Sequence, residues 1–92
     1  MTELFVLNVP DGFSESRVRD LLDGCHVNHV VLARTRYGIL ATIETASELG
    51  AIKAETILDA LALPLGIVRG DSRIGQKLGE IILHTLGAGS GT

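Results

Sequence analysis

From Leu4 to Val9 the chain reads Leu-Phe-Val-Leu-Asn-Val, apolar on both alternating sets, which predicts a central strand covered on both faces. Pro10, Asp11 and Gly12 end it. Ser14 can then cap a helix, because its side-chain oxygen can accept from free amides of the first turn. Val18, Leu21, Leu22 and Cys25 follow at i, i+3, i+4 and i+7, the stripe of an amphipathic helix that exits at Gly24. Val27 to Ala33 is rich in β-branched residues and Arg36 to Thr45 alternates, so two strands are expected with Arg34-Thr35-Arg36 as their hairpin connection. Thr45 and Glu48 have the spacing of a capping box, which predicts a second helix starting at Ala46. At 100° per residue its Glu48, Glu55 and Asp59 share one stripe, and Ala46, Gly50, Ala54, Ile57 and Leu61 lie opposite. Pro64 stops this helix, and Leu65 to Arg69 can form a fourth strand. Asp71 or Ser72 can cap a third helix over Arg73 to Leu86, with Ile74, Leu78, Ile81, Ile82 and Thr85 on one face.

The 92 residues suffice for one domain, expected over residues 1–86, with 87–92 as a flexible tail that has no side chain able to build a core. Hydrophobic residues at 46% and charged residues at 21% exclude disorder driven by low hydrophobicity. Phe5, Phe13 and Tyr37 are the only aromatics, so the core must be aliphatic. The lone Cys25 excludes an internal disulfide and every multi-cysteine zinc pattern. The longest apolar stretch, Ile57 to Val68, is broken by Asp59 and Pro64 and falls short of the ~20 residues of a membrane span. With no basic region ahead of the first apolar run, an intracellular location, cytoplasmic or nuclear, is expected. The net charge of −3 argues against a protein that coats nucleic acid by neutralising phosphates.

The order βαββαβ plus a helix predicts an α+β fold of the ferredoxin-like class. A four-stranded antiparallel sheet in order 4-1-3-2 would carry two backing helices on one face and an extra C-terminal helix. On this frame Leu4-Phe5-Val6-Leu7-Asn8-Val9 resembles the first-strand motif of the RNA recognition motif family. Ser14-Glu15 and Val18-Arg19-Asp20-Leu21-Leu22 resemble its first helix, and the likeness covers residues 4–70. The third-strand motif of that family aligns best with Arg36-Tyr37-Gly38-Ile39-Leu40-Ala41-Thr42-Ile43, placing Gly38 and Leu40 where stacking aromatics belong. The resemblance therefore implies an atypical member with Phe5 as the one retained stacking ring. Its open face, with Phe5, Leu7, Val31, Ala33 and Leu40, is more apolar than a monomer leaves in water.

Candidate RNA contacts are Phe5, Arg34, Arg36, Tyr37, Leu40, Arg69 and Arg73, the arginines lying at strand ends where they can meet phosphates. Candidate protein contacts are Leu7, Val31, Ala33, Ile74, Leu78, Ile81 and Ile82, since the third helix or a second chain can cover the open face. No cofactor, metal site or membrane contact is expected. His26 and His29 fall on opposite faces of a strand, and Cys25 reads as a small buried thiol. Gly70-Asp71-Ser72-Arg73-Ile74-Gly75-Gln76-Lys77 joins a strand to a helix, the context of an anion cradle, but Gln76 stands where a Walker loop needs lysine. These features favour a non-enzymatic interaction module in a ribonucleoprotein or regulatory assembly, with a protein partner or homo-oligomer and weak contact with single-stranded RNA. Two alternatives stand beside it. Ile43-Glu44-Thr45 leading into Gly50-Ala51-Ile52-Lys53-Ala54 resembles the opening of a bacterial microcompartment shell domain, a self-assembling tile. A ligand-sensing regulatory domain of the same topology would use the Gly70 loop.

Overall fold

The computed structural model describes residues 1–36 and 38–81. Strand β1 (Thr2–Val9) is followed by helix α1 (Glu15–Leu21), strands β2 (Val27–Thr35) and β3 (Gly38–Thr45), helix α2 (Glu48–Ala60) and strand β4 (Gly66–Arg69). A third helix, α3, covers 73–81 of the described residues. The fold is α+β, with one four-stranded antiparallel sheet in the order β2-β3-β1-β4. This is the strand order expected from the sequence. The remainder of the expected third helix and the tail lie outside the described residues.

Local chemistry sets the boundaries. Ser14 caps α1 by accepting from the Arg17 amide at 3.2 Å, and Gly24 carries the chain away at φ +89°. Helix α2 starts two residues later than the capping-box spacing predicts. Its N-cap is Ser47, which accepts from the Gly50 amide at 3.2 Å. Thr45 is unavailable for that role because it ends β3, paired with Thr2 and Val27 and fully buried, with its hydroxyl donating to the Ser47 carbonyl at 2.8 Å. The β2–β3 connection also falls later than expected: Arg34 and Thr35 belong to β2, β3 starts at Gly38 rather than Arg36, and Thr35 pairs with Gly38.

Leu4, Val6, Val30, Ile39, Ala41 and Ile43 meet Val18 of α1, its C-cap Leu22, and Ala51, Ala54 and Leu58 of α2 in the main core. Gly50 is part of the mechanism of this packing. A side chain there would run into the Cys25 carbonyl, so glycine lets the start of α2 approach the exit of α1. The buried stripe of α2 is Gly50, Ala51, Ala54 and Leu58, rotated from the expected one; Ala46 is exposed and Ile57 and Leu61 are half-buried. Asn8 interrupts β1 at φ +63°, where its register with β3 shifts, and its amide donates to the Pro64 carbonyl at 2.9 Å.

Candidate interaction face

Cross-strand register builds the face of the sheet opposite α1 and α2. Phe5 lies between Thr42 and Val68, Leu7 is beside Gly66, Val31 is beside Thr42, and Ala33 is beside Leu40. Helix α3 crosses this face. Leu78 packs with Phe5, Leu40, Leu7 and Val68 into a second, smaller core. Gly79 sits over the Phe5 ring, where an added methyl would meet Cζ at 3.6 Å. As a result Phe5 is only 2% exposed and Leu40 7%.

The side of α3 that meets the sheet differs from the expected stripe. Leu78 is the expected residue that does so, accompanied by Gly75 and Gly79, while Ile74 and Ile81 remain 65% and 53% exposed. Gly75 is held against the backbone of Arg69 and Gly70, so no side chain fits there. The helix can lie this close only because its contact stripe is Gly-x-x-Leu-Gly. Ile82 and Tyr37 lie outside the described residues.

The four candidate arginines do not share one surface. Strand alternation turns Arg69 away from Val68 and toward α2, where its guanidinium donates to the carboxylates of Glu55 and Glu48. Burial alone would lower its pKa; the hydrogen bonds and charges of the two glutamates outweigh that and hold it above its ordinary value. Arg69 is therefore a clamp between β4 and α2, which corrects its expected place among open-face phosphate contacts. Arg34 also points away from the face of Ala33 and pairs with Asp11 at 3.4 Å, both side chains well exposed. Arg36, at the β-hairpin, and Arg73, in the first turn of α3, are exposed.

In the Gly70 loop the polar groups bond one another. The Ser72 hydroxyl accepts from the Gly75 amide at 2.9 Å and donates to the Arg69 carbonyl at 2.7 Å, while the Gln76 amide goes to the Ser72 carbonyl. These groups cap α3 rather than wait for a ligand. Within the main core, a void of about 10 Å3 lined by apolar residues including Val6, Phe13, Val18 and Leu58 is too small for a ligand. Cys25 is buried, and burial pushes its thiol pKa up, an effect that Lys53 opposes and Asp23 reinforces. Among the described residues no group of three or more metal-ligating side chains comes together, and no helix is long and apolar enough to cross a membrane.

Sequence reasoning found Leu78 and the apolar face it covers. It missed Gly75 and Gly79 as contact residues, and Glu48 and Glu55 as the partners of Arg69. A signal for the first was present in the sequence, since residues 75, 78 and 79 have helical same-face spacing. No protein-family profile, curated protein or solved structure matches the chain.

Proposed function

We propose that this chain is a non-enzymatic interaction module of ferredoxin-like, RNA-recognition-like arrangement, whose open sheet face packs protein in place of nucleic-acid bases. The observation that carries this reading is the burial of Phe5 beneath Leu78 and Gly79. A base stacked on an aromatic side chain contributes about 1–3 kcal/mol, but it needs a free ring face. Phe5 has none while α3 is docked, and Gly38 and Leu40 supply no replacement ring. The βαββαβ order and the β2-β3-β1-β4 sheet support the assigned arrangement. The module serves a ribonucleoprotein or regulatory assembly through protein contacts, with Arg36 and Arg73 providing weak, salt-sensitive contact with single-stranded RNA.

The test is a fluorescence-anisotropy titration of the whole chain with labelled single-stranded RNA at low and physiological salt. Binding should be micromolar or weaker at physiological salt and should fall as salt rises. Phe5→Leu, which keeps an apolar side chain but removes the ring, should leave it unchanged, whereas Arg36→Ala should flatten the salt dependence. A sequence-specific nanomolar complex that Phe5→Leu abolishes would overturn the reading.

A further inference from the structure

The two edges of the sheet are unequal: β4 has four residues, whereas β2 has nine. Edge strands expose backbone N–H and C=O groups, and proteins commonly blunt them with proline, lysine, inward-pointing charge or a β-bulge; β2 has such an irregularity only at its start, between Val27 and His29. From Asn28 to Arg34 the sequence Asn-His-Val-Val-Leu-Ala-Arg contains no proline, glycine, lysine or carboxylate. The Asn28 carbonyl faces outward, where Arg19 Nη2 donates to it at 3.4 Å. Past the register irregularity at Asn28, β2 pairs with β3 without a break from His29 to Thr35, and because Thr35 and Gly38 are the first and fourth residues of the connecting turn they bond each other, so alternation turns the backbone groups of Arg34, Leu32 and Val30 outward. On the open face beside this edge, Val31 remains 40% exposed, while α3 covers Phe5 and Leu40.

We infer that β2 pairs with β2 of a second copy of this chain, antiparallel and centred on Val31, joining two four-stranded sheets into one. The side chains of the strand select this register. Centred on Val31, Val31 meets Val31′, Val30 meets Leu32′, His29 meets Ala33′ and Asn28 meets Arg34′. Apolar residues oppose apolar ones along the centre, and charge is confined to the ends, where Arg34′ comes opposite Asn28 beside Arg19. Centring on Leu32 would set Val30 against Arg34′, and centring on Val30 would set Val31 against His29′ and Leu32 against Asn28′. The outward backbone positions agree with the choice: Val30 and Leu32′ exchange hydrogen bonds, and the Val31 pair falls at the closely spaced position between such pairs. Arg19 guards only the Asn28 end, where the Arg34′ amide would take over its acceptor. A pairing across the twofold axis is isologous, so it closes as a dimer and leaves no second β2 edge.

The inference extends the interaction-module reading by naming a partner. Its test uses neither RNA nor α3, so the two can fail separately. Sedimentation velocity of the whole chain over a range of concentrations should show a concentration-dependent dimer. Val31→Lys and Val31→Glu, at a position already exposed to water, should each give a folded monomer by circular dichroism. An equimolar mixture of the two should restore the dimer, because the register puts residue 31 opposite itself. Val31→Cys should form a covalent dimer under mild oxidation, since Cβ atoms in such a pair lie about 4.5–5.5 Å apart, while Arg34→Cys should not. A chain monomeric at every concentration, a dimer that survives Val31→Lys, or a Val31→Cys chain that does not cross-link would each overturn it.

Discussion

Ala62 follows the C-cap of α2 at φ +56°, in the left-handed region where a Cβ is crowded by the following carbonyl. Asn8 occupies the same region with compensation, because its side chain bonds the Pro64 carbonyl. Alanine has no polar group with which to do this. Ala62→Gly should therefore stabilise the protein by about 0.5–1 kcal/mol, seen as a higher urea midpoint at unchanged slope. Cys25 makes a prediction of the opposite kind. Its folded thiol pKa is raised by burial, so the folded state holds the proton more tightly than the unfolded chain. That contribution is full below the ordinary value of 9.0 and is lost as pH rises from there through the folded value. Stability should fall in that alkaline window, and Cys25→Ala should lessen the fall. In the native protein at neutral pH, thiol reagents should modify Cys25 only as fast as the fold opens.

At the scale of elements, the junction of β4 with α3 decides which face of the sheet is available. Ser72 caps the helix, and Gly75 presses its first turn against the Arg69 carbonyl. The next contact, Gly79, has ordinary room above Phe5. These two glycines should thus respond differently to the same methyl group. Gly75→Ala should cost about 1–3 kcal/mol or lift α3 from the sheet, because backbone rather than a flexible side chain is in the way. Gly79→Ala should be neutral or stabilising, since alanine exceeds glycine in helix propensity by about 1 kcal/mol. Amide hydrogen exchange in α3 and binding of an apolar dye to the uncovered Phe5 face would measure both.

At the scale of the molecule, among the described residues one thin sheet separates two apolar clusters. The larger is filled by α1 and α2, the smaller by α3. Arg69 joins these layers: its backbone is followed by the turn into α3, while its side chain holds Glu48 and Glu55 of α2. The division explains why an open-face RNA site and a closed protein module can share one element order. The difference lies in the short segment after β4, whose packing withdraws Phe5 from solvent. It also leaves β2, at the far edge, as the long strand with outward backbone positions, which is why the proposed dimer and the RNA reading concern different parts of the protein.

The continuous apolar run Leu4–Val9, the stripe Val18-Leu21-Leu22-Cys25 and the breaks at Pro10 and Pro64 already specify the order of elements, because local periodicity and chain-stopping residues act over a few positions. The same periodicity picked out Leu78, and the resemblance to the RNA recognition motif implied the apolar face containing Phe5. The capping-box spacing named Thr45 as the cap of α2 where the structure uses Ser47, because Thr45 is buried at the end of a paired strand. Local pattern could not separate Arg69 from the other strand-end arginines, whose similar sequence settings hide which side of the sheet each side chain takes. The turn of α3 that faces the sheet was likewise a tertiary decision: Ile74 offers more apolar area, but only Gly75 fits against the β4 backbone. Hydrophobic pattern determined that this face needed cover; close backbone packing determined that α3 of the same chain supplies it, how the helix sits there and which residues it seals from water.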